Sequence, residues 1–168
     1  MPVNFELIST YTVPAGGATT ISFNSIPQTF KDLWVVVSTN NGGSYIRANG
    51  VSSTSYEYKT MVYFDSYPVR NYGGTLSRWQ SFNPSGAITD YFSSNVSYFP
   101  DYTNTTYTKS IGALFSGVNA NSNSDYYWSV YIATGNTQQT TAITSLVFDD
   151  GGTMAEYSKI SLYGITNS

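Results

Sequence analysis

The chain has no cysteine and no histidine, and it has few charges: 7 basic and 10 acidic side chains in 168 residues. Without histidine it lacks the commonest general base at neutral pH, and without cysteine the strongest neutral-pH nucleophile; together the two absences remove the softer metal ligands. Most catalytic mechanisms therefore miss a central part, and a structural or binding role is expected, with no cofactor and no obligatory metal. The lack of cysteine also excludes a disulfide framework and leaves no thiol to oxidise, although it assigns no compartment. The basic residues are scattered singly between Lys31 and Lys159, and the net charge is −3. No Lys/Arg stripe can neutralise several phosphates at once, so nucleic acid is not expected as a partner. Met1 to Glu6 has no basic segment followed by an apolar one, and no stretch approaches ~18 consecutive apolar residues, so neither export nor membrane insertion is expected.

Ser, Thr, Asn, Gly and Tyr fill the space that Lys and Glu occupy in helical proteins. Aromatic residues make up 17% of the chain, with 16 Tyr and 9 Phe, too many for a disordered polar segment and well suited to rings packed across a sheet. The composition predicts an all-β protein, and the length fits a single domain over residues 1–168.

Turn chemistry divides the chain into strand-length runs. Phe5 to Val13 is followed by Pro14-Ala-Gly-Gly17, which predicts a hairpin into the alternating run Thr19 to Phe23, ended by Ile26-Pro27. Asp32 to Ser38 is continuously apolar at its centre and reads as an interior strand covered on both faces. Asn40-Asn-Gly-Gly43 and Asn49-Gly50 predict two further hairpins around Tyr45 to Ala48 and Tyr56 to Tyr63. Between Asp65 and Asp90 the pattern weakens, and this stretch reads as the largest loop region. Phe92 to Phe99 and Thr105 to Ser116 resume the strands, the second with Tyr107, Ile111, Ala113 and Phe115 on one face and Lys109 intervening. Asn119 to Asp125 reads as an exposed turn. Tyr126 to Ile132 places Trp128, Val130 and Ile132 on one side, with Tyr127, Ser129 and Tyr131 on the other. Ala142 to Phe148 and Lys159 to Ile165 close the chain, separated by Asp149-Asp-Gly-Gly152. Eight to ten strands at this spacing suit an antiparallel β-sandwich or jelly roll. Trp34, Val36, Phe115, Trp128, Val130, Phe148 and Leu162 are expected to be buried.

The search for chemistry gives little. Two carboxylates suffice for glycoside hydrolysis, but most of the ten acids sit beside turn residues, where backbone reasons explain them. Asn121-x-Asn123-x-Asp125 begins like an oxygen-ligand calcium loop; Tyr126 and Ile132 then stand where that loop needs glycine and glutamate, and Asp149-Asp150 before two glycines reads as a turn. Asn95-Val-Ser97 and Asn104-Thr-Thr106 match the glycosylation pattern in a chain where chance supplies it. No residue is assigned a catalytic or metal-binding role. The tyrosines are the suggestive surplus, since exposed rings stack on sugars or anchor interfaces. Tyr67, Tyr72 and Trp79, in the irregular centre, are the candidates for ligand binding, with Trp79 also read as a plug over one end of the sandwich.

Two segments carry a resemblance. Ile21-Ser-Phe-Asn-Ser-Ile-Pro-Gln-Thr-Phe-Lys-Asp-Leu-Trp-Val35 resembles the amino-terminal part of a group of small virion proteins of tailed bacteriophages. Ile160-Ser-Leu-Tyr-Gly-Ile-Thr-Asn167 is similar to their closing strand, and Glu6-Leu-Ile-Ser also fits. The motifs cover about a third of the chain, in the right order at both ends. The resemblance implies a jelly-roll-like virion protein, either a capsid decoration or cement protein on the major capsid protein or a tail-fibre module. It implies a homotrimer and no catalytic residues. Because a fibre usually adds a shaft or attachment segment, this compact chain is read as a stand-alone decoration protein, with a glycan-binding tail module as the alternative. Met1, Pro2, Val3, Asn4 and Phe5, an apolar arm ahead of the first regular strand, are the candidates for part of the capsid contact, with a frayed terminus as the alternative reading.

Overall fold

The computed structural model describes residues 3–40, 44–53, 56–64, 67–81, 92–120 and 126–167. These form twelve strands: β1 (Val3–Thr12), β2 (Ala18–Phe23), β3 (Asp32–Asn40), β4 (Ser44–Ala48), β5 (Tyr56–Phe64), β6 (Tyr67–Leu76), β7 (Trp79–Ser81), β8 (Phe92–Phe99), β9 (Ser110–Ala120), β10 (Tyr126–Thr137), β11 (Leu146–Met154) and β12 (Lys159–Asn167). All pairings are antiparallel. One sheet has the order β1-β12-β3-β8-β9-β10-β5-β6 and the other β2-β11-β4-β7.

When the hairpins β5–β6 and β9–β10 are set aside, two four-stranded sheets remain, β1-β12-β3-β8 and β2-β11-β4-β7. The chain changes sheet at every step between these eight strands except from β4 to β7, which pair with each other. Two interleaved Greek keys of this kind make a jelly roll. The hairpins lie between β4 and β7 and between β8 and β11, and they widen the first sheet to eight strands. Ile21, Phe23, Ile46, Leu146 and Phe148 of the small sheet meet Leu33, Val35, Val37, Phe99, Ile160 and Leu162 of the large one in the main core. Val62, Phe115 and Tyr131 make a second buried cluster under the widened half.

This topology corrects the expected hairpins. Pro14 to Gly17 does form a tight turn, with Gly16 and Gly17 at positive φ and the Gly17 N–H donating to Pro14 O at 3.1 Å. Yet β1 pairs with β12 and β2 with β11, so this turn is a corner between sheets. Asn49-Gly50 likewise has both residues at positive φ, as a type I′ turn requires, but it leads from β4 in one sheet to β5 in the other. Asn49 spends its side chain on the segment before β11: its Oδ1 accepts from the N–H groups of Thr144 (2.8 Å) and Ser145 (3.2 Å), and its Nδ2 donates to Ala142 O at 2.9 Å. Residues 41–43 lie outside the described residues, but the strands on either side, β3 and β4, again belong to different sheets.

Other expectations change with it. The stretch read as a loop from Asp65 to Asp90 contains β6 and β7. Asp149 to Gly152 is strand, because β11 runs on to Met154, and residues 142–145 are not. Val130 and Ile132 are exposed at 40% and 52%, while Tyr131 at 3% is buried, so β10 faces the opposite way from the expected one; the side chain of Trp128 lies outside the description. Leucine and valine at strict alternation select the buried face of β3, leaving Trp34 and Val36 half-buried on the outer one. Phe115, Phe148 and Leu162 are buried as expected. Tyr107 is exposed ahead of β9, and Lys109 is the buried residue there: its ammonium donates to the carbonyls of Asn104, Tyr107 (3.1 Å) and Thr140 (3.1 Å), and desolvation lowers its pKa.

The two segments that carry the resemblance meet in space. Leu33 pairs with Gly164 and Asp32 with Ile165, while the Lys31 N–H donates to Ile165 O at 2.8 Å. The ring of Phe30 covers Gly164 so closely that a Cβ there would lie 2.2 Å from Phe30 Cγ.

Candidate functional site

The inner face of the large sheet is core, and its outer face carries an uninterrupted apolar row. Strand register aligns Val36, Val96, Leu114, Ile132 and Met61 across β3, β8, β9, β10 and β5. Five strands at ~4.8 Å spacing make the row ~19 Å long. Leu114, Ile132 and Met61 are 53%, 52% and 44% exposed. Thr10 and Ser161 extend the row at one end and Asn71 at the other, so it carries no charge across eight strands.

The neighbouring rows differ along their length. On one side Leu7, Tyr163, Trp34 and Tyr98 are followed by Gly112, Thr134, Lys59 and Gly73. Phe5 meets Trp34 edge-on at 5.9 Å and Trp34 meets Tyr98 at 6.0 Å, so this end is an aromatic cluster. Tyr98 is fixed by donating to Asp32 Oδ2 at 2.9 Å, and Asp32 Oδ1 accepts the Asp101 N–H at 2.7 Å. Burial, then the bond to the Asp32 carboxylate and its charge, push the Tyr98 phenol up to about 12. Towards β6, Lys59, Met61, Asn71, Gly73, Ile132 and Thr134 line a shallow groove of about 570 Å³. On the other side the row reads Ser38, Ser94, Ser116, Val130 and Tyr63. Small hydroxyls beside aliphatics give a flat surface, suited to another protein surface more than to an enclosed small molecule.

The residues singled out in the sequence fall as follows. Val3, Asn4 and Phe5 belong to β1, paired with Asn167, Thr166 and Ile165, so they are no arm ahead of the first strand; Met1 and Pro2 lie outside the described residues. Trp79 is 1% exposed, 4.9 Å from Tyr56 and 5.5 Å from Phe99, against Gly135, whose added Cβ would lie 2.8 Å from the indole Cδ1. It is a core residue and cannot stack on a sugar. Tyr67 and Tyr72 lie on β6, and their side chains are outside the description. Residues 121–125, the calcium-like stretch, are also outside it. Among the described residues no group of three acidic side chains could hold a metal. Asp149 is buried between two guanidiniums, Arg47 and Arg78, the latter 2.6 Å away and 3.5 Å above the ring of Tyr45. Asn95 is 2% exposed and accepts a hydrogen bond from Ser97, which excludes it as a glycan acceptor in the folded chain. Asn104 is occupied with Asp101 and the N–H groups of Thr106 and Tyr107.

The apolar row was missed because it needs register: Leu114, Ile132 and Met61 lie apart in sequence and are aligned only by the pairing of β10 with β9 and β5. No protein-family model, curated protein or solved structure matches the chain.

Proposed function

We propose that the protein is a non-enzymatic virion component of a tailed phage, a capsid decoration protein that docks on the major capsid protein as a homo-oligomer. The observation that carries this reading is the uncharged apolar row from Val36 to Met61 on the outer face of the large sheet. An exposed apolar strip of this kind, flanked by serine hydroxyls on one side and by an aromatic cluster on the other, marks a protein contact. The jelly-roll topology and the contact between the two resembling segments support it further. The buried position of Trp79 weakens the glycan-binding alternative, which loses its tryptophan platform.

The test mixes purified protein with undecorated capsids and, separately, with host-envelope glycans. Saturable capsid binding is expected, at hundreds of copies per particle, and Leu114→Lys with Ile132→Lys should weaken it by about tenfold or more while leaving the circular dichroism unchanged. Saturable glycan binding without capsid binding would overturn the decoration reading in favour of a tail module.

A further inference from the structure

β1 is an edge strand exposed in almost every direction. Nine of its ten residues are exposed, and only Ile8 is half-buried. Val3, Phe5 and Leu7 are 55%, 56% and 52% exposed, and among the described residues one edge of the strand faces no other strand. Natural sheets blunt such edges with proline, charged residues (lysine above all), β-bulges or shortness. The opposite edge of the same sheet, β6, carries Pro68, Arg70 and Gly73-Gly74. β1 has no proline and no basic residue, Glu6 is its single charge, and its one bulge, between Leu7 and Ser9, leaves Val3 to Leu7 regular. One edge of the sheet is thus protected and the other is open.

The open edge is complementary to itself. We propose that β1 pairs antiparallel with β1 of a second copy of this chain, about a two-fold axis at Phe5. The ladder then sets Val3 against Leu7, Phe5 against Phe5 and Leu7 against Val3 on the outer face, with Asn4 against Glu6 on the other. The one charge meets an amide and never its own copy, which like charges directly opposite would forbid. The ladder has natural limits as well. Pro2 has no N–H to donate, and the register shift between Leu7 and Ser9 bends the strand at the other end. The five residues between these limits alternate apolar and polar. Pairing joins two large sheets into one and gives a two-fold interface in which the same patch serves both subunits. The resemblance implies a trimer, so the two-fold pairing is independent of it and of the capsid reading.

The natural absence of cysteine allows a clean test. Phe5→Cys places two thiols opposite each other, where directly paired antiparallel residues have Cα atoms about 4.5–5.5 Å apart, within disulfide range. Mild oxidation should yield a covalent dimer of this variant on a non-reducing gel and none of Thr134→Cys, which is exposed on the same face but away from the edge. By light scattering the native chain should have twice the mass of the 18.4 kDa monomer, and Phe5→Lys, which sets two ammonium groups together, should return it to monomer. A native monomer or trimer, or equal cross-linking of the two cysteine variants, overturns the pairing. A dimer that fails to bind capsids keeps the pairing and removes the decoration role; capsid binding by a trimer does the reverse.

Discussion

At the scale of single residues, Gly164 is required by a ring. Phe30 lies where a side chain at 164 would go, so Gly164→Ala should force the β3–β12 contact apart and cost ~1–3 kcal/mol. Urea unfolding checks this, and an unchanged midpoint would show that the Phe30 ring gives way freely. Tyr98 makes a pH-dependent contribution. Its folded pKa, about 12, lies above the ordinary tyrosine value of 10.0, so the folded state keeps a proton that the unfolded chain releases. The stabilisation is complete below pH 10 and disappears as pH rises towards 12. Burial raises Tyr56 and Tyr102 in the same direction. Stability measured between pH 9 and 12 should therefore fall more steeply for the native protein than for Tyr98→Phe, while parallel curves would show that neither burial nor the Asp32 bond shifts the phenol.

At the scale of elements, the sequence shows where strands are but not which sheet they join. β8 was legible to the residue from the alternation of Phe92 to Phe99, and β12 from Lys159 onward. β6 was hidden by Pro68 and Gly73-Gly74, which an edge strand tolerates and an interior strand would not. The face of β10 was misjudged because both faces of Trp128 to Ile132 are apolar; Ser129 and Ala133, small and buried, mark the inner one. The apolar strip could not be read at all, since no local pattern records cross-strand register. Asn49 shows the same limit: its turn geometry was visible and its partners, some 95 residues away, were not. Asn49→Ala should release the segment before β11 and cost about 2 kcal/mol or more, because amides are left unpaired and alanine disfavours the positive φ. Trp79→Ala should cost ~3–5 kcal/mol through the cavity between Tyr56, Phe99 and Gly135. Thermal unfolding checks both, and a loss below ~1 kcal/mol for Trp79→Ala would contradict its burial.

At the scale of the whole molecule, the sheets are joined by contacts between distant parts of the chain. β12 lies between β1 and β3 and pairs with both, so β1 joins the large sheet only through β12. Deleting Lys159 to Asn167 should abolish the cooperative thermal transition; a retained sharp melt would show that β1 and β3 close on their own. Pairing of this range also implies slow folding, on the scale of milliseconds to seconds or longer. The position of β12 has a consequence during synthesis. At the usual ~5–20 residues per second, the ribosome takes on the order of ten to thirty seconds to reach residue 167. From the time β3 emerges until then, β1 and β3 lack the strand that joins them. A chain that stops short of β12 therefore leaves β1 without its partner strand and β3 with an open edge.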